Sequence, residues 1–156
     1  MAAPDFIVKL REKIGHDPLW LPGVCGVVFD DDGRVLLGQR SDTGHWALIS
    51  GMLEPGEEPA PGLVREIFEE TAVVAEVEQL LSVKAVGPIT FANGDVCDFL
   101  TMTFRCRYVS GTARVNDDES TAVGWFAPDD LPPLRDVHLE SIRAAAGPDV
   151  AARFTR

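Results

Sequence analysis

At 156 residues, 46% of them hydrophobic and 25% charged, the chain has the make-up of one folded domain and is too short for two ordinary ones. A net charge of −11 denies it the basic face that a nucleic-acid backbone demands. No apolar run approaches the ~20 residues of a membrane span, so neither nucleic acid nor membrane is an expected partner.

The start, Met1-Ala2-Ala3-Pro4-Asp5-Phe6, lacks the basic-then-apolar pattern of a secretory leader. Cys25, Cys97 and Cys106 cannot close a disulfide framework, and a cytoplasmic location with reduced cysteines is expected. Residues 5–14 place apolar side chains at 6, 7, 10 and 14, the spacing of one helix face, with Gly15 as the stop. That predicts an N-terminal helical extension at about residues 4–15. Residues 23–29 are short, apolar and β-prone, Asp30-Asp31-Asp32-Gly33 reads as a turn, and residues 34–39 form the return strand of a hairpin. The turn is not a calcium loop, because the twelfth position from Asp30 is Ser41 rather than a bidentate glutamate.

A helix is predicted over 61–71, with proline in its first turn and Leu63 and Ile67 toward the core. Residues 73–87 read as a strand, Asn93-Gly94 as a hairpin turn, 99–108 and 123–126 as strands, and 137–146 as a short helix closed by Gly147-Pro148. No repeat or linker interrupts this order, so residues 1–156 read as a single mixed domain in which strands dominate.

The charge is concentrated. Residues 51–74 hold six acids against one base, residues 116–140 seven against one, and the remainder balances. Such segments are either solvated surface or sites for hard cations. In the first, Glu66, Glu69 and Glu70 stand at helical offsets 0, 3 and 4, so three carboxylates share one face. Each like-charged pair costs roughly 0.2–0.5 kcal/mol on an exposed helix, and Arg65 offsets only part of this through Glu69. A divalent cation with oxygen ligands accounts for the arrangement; a solvated acidic helix face is the plain alternative.

The wider spacing runs Gly51, Glu57, Arg65-Glu66, Ile67, Glu69-Glu70, Ala72, Val73. It resembles the Nudix box, the signature of the Nudix hydrolases, at every specified position except the last glycine, which is Ala72. Alanine tolerates a positive φ less well than glycine, so a differently shaped helix end is expected. Where the family often has Pro-Gly-Gly, this chain has Ile49-Ser50-Gly51.

The resemblance implies an α/β (α+β) fold, a Nudix-type α/β/α sandwich with a mixed β-sheet. It further implies a metal-dependent pyrophosphohydrolase that cleaves a nucleoside diphosphate linked to another moiety, a small-molecule nucleotide. Glu66, Glu69 and Glu70 would hold Mg²⁺ or Mn²⁺ with the carbonyl of Gly51, and Arg65 would orient the carboxylates in a salt bridge with Glu57. The catalytic set would comprise Arg65, Glu66 and Glu69. The base would be Glu66, Glu69 or a residue outside the box. Glu119, in the loop Asn116-Asp117-Asp118-Glu119, is the external candidate, with a solvated acidic loop as the alternative.

Outside the box, Trp20, Trp46 and Trp125 offer surfaces for stacking a nucleobase, against the more common core role of tryptophan. Arg40 is a candidate for phosphate or ribose, against an ordinary surface arginine. His45 and His138 lack ligand spacing. Pro88, 15 residues beyond Val73, resembles a proline of the ADP-ribose pyrophosphatase subgroup. ADP-ribose is therefore the first expected substrate, with an ordinary or oxidised nucleoside triphosphate as the alternative. A non-catalytic nucleotide-binding domain is the rival of another class, and the intact box glutamates argue against it. Relatives are often dimers, and the N-terminal helix is available for a homodimer interface.

Overall fold

In a computed structural model that describes residues 4–149 and 151–156, the apolar runs become strands and the patterned segments helices. The leader reading rests in part on Met1, Ala2 and Ala3, which lie outside the described residues. In chain order the elements are α1 (Asp5–Ile14), β1 (Leu19–Phe29), β2 (Val35–Arg40), β3 (Trp46–Ala47), β4 (Ile49–Met52) and α2 (Pro59–Thr71). They continue with β5 (Val74–Thr90), β6 (Val96–Ser110), β7 (Ser120–Phe126) and α3 (Asp136–Ala146). Among the described residues no helix is long and apolar enough to cross a membrane.

The seven strands make one mixed sheet. β5 and β6 form the antiparallel hairpin turned at Asn93-Gly94, and β6 runs parallel to β1 from Leu19↔Cys97 to Phe29↔Arg107. On its other edge β1 pairs antiparallel with β4, from Gly23↔Met52 to Gly26↔Ile49. The expected hairpin of β1 and β2 is corrected in one respect: the two strands meet only at Phe29↔Val35. With β6 on one edge of β1 and β4 on the other, β2 has no free edge to follow. It turns away and pairs with β3 and β7 instead. The sheet curls at this divergence.

Strand alternation separates two cores. Val24, Val28, Leu36, Ile49, Phe104 and Cys106 pack on Leu63 and Ile67 of α2. The opposite face presents Cys25, Val27, Val35, Leu37 and Leu48 to Ile142 and Ala145 of α3, while Ile7 of α1 packs on Leu21 and Cys97. Helices thus cover both faces, the expected sandwich. All three cysteines are buried and unpaired, and burial pushes the thiols of Cys25 and Cys106 up to about 12.

α2 lies tight on the sheet because Gly26 leaves room for it: a Cβ there would stand 3.2 Å from Ile67 Cδ1. Pro59 opens the helix without forfeiting a hydrogen bond. At the other end, the expected change of shape does not occur. Ala72 takes the left-handed conformation (φ 58°, ψ 17°) that glycine would take, and its N–H donates to the Phe68 carbonyl at 2.8 Å. That backbone costs an alanine about 1–2 kcal/mol. Burial of the methyl group offsets part, as does Thr71, whose hydroxyl donates to the Ile67 carbonyl and accepts from Val73 N–H.

Candidate active site

Arg65, on α2, uses every N–H it has. Nε and Nη2 grip Glu57 at 2.8 Å each, Nη1 donates to Glu66 and Glu69 at 3.0 Å each, and Nη2 also reaches the Met52 carbonyl at 3.3 Å. The planar fork explains arginine here, since an ammonium cannot serve three carboxylates and a carbonyl in fixed directions. The bidentate bond to Arg65 holds the Glu57 carboxyl below its ordinary range, and Glu57 in turn accepts the Glu54 N–H. The ion pair expected from the box is thus present, extended into a network that orients Glu66 and Glu69.

Glu66 and Glu70 sit one helical turn apart, only 3% and 6% exposed. Glu66 lies against β4 at a point only glycine allows: a Cβ on Gly51 would stand 2.1 Å from Glu66 Cδ. Oε2 of Glu66 and Oε1 of Glu70 are buried with no hydrogen-bond donor among the described residues. Burial raises Glu66 to about 7 against the pull of Arg65. It raises Glu70 to about 9, with Glu119, Asp117 and Glu66 pushing the same way and Arg40 opposing. Glu69 is more open, its side chain 39% exposed.

The second acidic segment comes to the first through backbone bonds. The loop after β6 caps the end of α2: Arg114 N–H donates to Thr71 O at 3.0 Å, Asn116 N–H to Glu70 O at 3.2 Å, and Asn116 Nδ2 to Phe68 O at 3.1 Å. Past this cap, Asp117 and Glu119 face Glu70. Glu119 is half-buried, and burial raises its carboxyl above the ordinary range. Oδ2 of Asp117 is buried with no donor among the described residues, so a third carboxylate joins the unsatisfied oxygens of Glu66 and Glu70. Asp117 escaped the sequence reading, which took only Glu119 from this loop. The run of acids was visible, but which ones face α2 is decided by the long-range bonds just described.

The remaining candidates are scattered. Arg40, the last residue of β2, lies beside the acidic loop, opposite Ser120 of β7. Trp46 is not brought to the carboxylates: it packs edge-on against Phe126, ring centroids 4.8 Å apart, on the α3 side of the sheet. Trp125 is half-buried in the α2-side core and meets Tyr108 edge-on at 5.7 Å. Trp20, 61% exposed, stands on β1 four residues before Val24. His45 is exposed; His138 is on the buried face of α3, where burial pushes it down to about 4 and keeps it neutral. Among the described residues no three histidine, cysteine, aspartate or glutamate side chains stand together as they would to hold a metal ion. What is present is an all-oxygen donor set with buried oxygens lacking protons to accept, a fit for a hard cation rather than a soft one.

Comparison with known proteins gives this geometry its context. A MutT-like protein of Streptomyces ambofaciens is 38% identical over 114 residues, 73% of this chain and 68% of that protein. The human 8-oxo-dGDP phosphatase NUDT18 is 34% identical over 139 residues; the match takes in 85% of this chain but spans only 38% of the relative's length. Among solved structures, a MutT NUDIX hydrolase of Burkholderia pseudomallei matches with a TM-score of 0.62 at 29% identity, over 82% of this chain and 99% of that one. An ADP-ribose pyrophosphatase of Streptococcus suis shares the fold with a TM-score of 0.67 at 23% identity, over 86% and 98%. The NUDIX domain profile itself matches residues 19–145, taking in both acidic segments and leaving α1 outside, and the chain belongs to the Nudix hydrolase family.

Proposed function

We propose that the protein is a divalent-metal-dependent pyrophosphohydrolase that opens the phosphoric anhydride of a small nucleotide. The observation that carries this reading is the pair of buried carboxylates, Glu66 and Glu70, each with an oxygen that lacks a donor. Leaving such an oxygen unsatisfied costs about 1–3 kcal/mol, and a bound ion removes that cost. The donors expected to hold Mg²⁺ or Mn²⁺ are Glu66, Glu69, Glu70 and the Gly51 carbonyl, with Asp117 added from the loop. A divalent cation bound there supplies positive charge to the diphosphate oxygens and acidifies the attacking water.

The chain's own groups do the rest. Arg65 fixes Glu66 and Glu69 so that their free oxygens point into the site without reorganising. Glu119, held above its ordinary range, is our candidate to take the proton of the attacking water on a carboxylate oxygen. Trp20 offers an exposed ring for the base; Trp46, within the α3-side core, is left to packing.

For the substrate, a nucleoside di- or triphosphate is placed ahead of ADP-ribose. The named 8-oxo-dGDP phosphatase relative supports it along 85% of the chain, whereas the ADP-ribose pyrophosphatase neighbour at 23% identity speaks for the fold alone. Pro88 is exposed where β5 shifts register between Val86 and Ile89, in the rows of Phe99 and Cys97 and away from the Gly51–Val24 row. The test is a panel of dGDP, 8-oxo-dGDP, dGTP and ADP-ribose, with products quantified in Mg²⁺, in Mn²⁺ and in chelator. Turnover of a free-phosphate nucleotide that chelator abolishes is expected. No turnover by folded protein overturns the catalytic reading, and turnover of ADP-ribose alone overturns the order of substrates.

A further inference from the structure

Two arginines answer the charge of the carboxylate cluster, and they differ in what they have left to offer. Arg65 has all of its donors engaged. Arg40 donates Nε to Asp42 Oδ1 at 2.9 Å and Nη2 to Asp42 Oδ2 at 2.7 Å, and among the described residues its Nη1 has no partner. Bonds from the next residue hold Arg40 at the cluster: Ser41 N–H donates to the Glu119 carbonyl at 2.8 Å and the Ser41 hydroxyl to the Asp118 carbonyl at 2.9 Å. The pair is open to solvent, with side chains 39% and 45% exposed, so a competing anion can reach the guanidinium.

The Asp42 carboxylate occupies the fork in the bidentate manner of a phosphate. A nucleoside di- or triphosphate ends in a free phosphate carrying close to two charges at neutral pH, while both phosphates of a linked diphosphate are diesters with one charge each. Only the first kind presents an unesterified, doubly charged phosphate at its end. We propose that Arg40 receives the terminal phosphate of a nucleoside di- or triphosphate, exchanging Asp42 for it, and so discriminates against linked diphosphates. The inference rests on the function proposed above.

Binding of the α,β-methylene analogues of dGDP and ADP-ribose, measured by calorimetry in Mn²⁺, separates the two failures, because it needs no turnover. Arg40→Ala should weaken the dGDP analogue about tenfold or more, as expected for a lost charge-assisted bond, and leave the ADP-ribose analogue within about threefold. Asp42→Asn, which frees the fork, should tighten the dGDP analogue by about twofold or more. Arg40→Lys should recover only part of the loss, since it keeps the charge and not the fork. Equal losses for both analogues on Arg40→Ala, or weaker dGDP-analogue binding in Asp42→Asn, would overturn the inference. So would failure of the wild-type protein to bind the dGDP analogue. Discrimination with no turnover of dGDP, 8-oxo-dGDP, dGTP or ADP-ribose would instead overturn the catalytic reading alone. Melting curves of each variant confirm that the protein compared is folded.

Discussion

Adding Mn²⁺ to the metal-free protein at pH 7.5 should expel slightly more than one proton per chain. Glu70, raised from 4.5 to about 9 by burial and then by Glu119, Asp117 and Glu66, is almost wholly protonated at that pH. Glu66, raised to about 7, contributes a further fraction of a proton. A carboxylate must be ionised to bind a cation, so those protons leave when the metal arrives. The same shift fixes the stability profile. For an acid whose folded value is raised, the native state is favoured fully below about 4.5 and loses that advantage as pH climbs toward about 9. The metal-free protein should therefore weaken across that window, and Mn²⁺ should restore it. The assay is calorimetric titration of Mn²⁺ at one pH in two buffers of different ionisation enthalpy, the buffer dependence giving the proton count. Glu70→Gln, which resembles the protonated acid, should remove most of the count and flatten the stability profile above neutral pH. Binding heats independent of buffer, or an unchanged count in Glu70→Gln, would refute the reasoning.

Other perturbations probe separate parts of the site. Glu69→Gln should lower kcat by about 10² or more with the fold intact, which steady-state rates beside a melting curve will check. Arg65→Lys should lower kcat about tenfold or more and weaken Mn²⁺, because the lysine cannot hold Glu57, Glu66 and Glu69 together; a metal titration reads the second effect. Gly51→Ala should displace Glu66, costing about 1–3 kcal/mol of stability with loss of most activity, and a denaturant curve measures the first.

The site divides sharply into what was legible in the sequence and what was not. The box was legible because its parts are local: Glu66, Glu69 and Glu70 share a face by helical geometry, and the pairing of Arg65 with Glu57 lies within one loop and helix. The sequence resemblance also carried the sandwich fold, and most strand positions followed from apolar runs and turns. What it did not disclose depends on distant pairings. The parallel register of β1 on β6 leaves no local trace, nor does the capture of β1's other edge by β4, which reduced the expected hairpin to Phe29↔Val35. Asp117 belongs to that class, since it comes to Glu70 only when the loop after β6 caps the distant end of α2. Ala72 shows the opposite error, a local rule taken too strictly: burial and Thr71 sustain a left-handed alanine that propensity alone disfavours.

The most direct measurement of the central claim is orthophosphate release from dGDP by the wild-type protein as Mn²⁺ is raised from chelator to saturation. The carboxylate cluster predicts a rate that starts near zero, climbs with the metal and saturates, with dGMP as the other product in equal amount. A rate that is the same in chelator and in Mn²⁺, or no product from dGDP, 8-oxo-dGDP, dGTP or ADP-ribose at any metal concentration with folded protein, would contradict it.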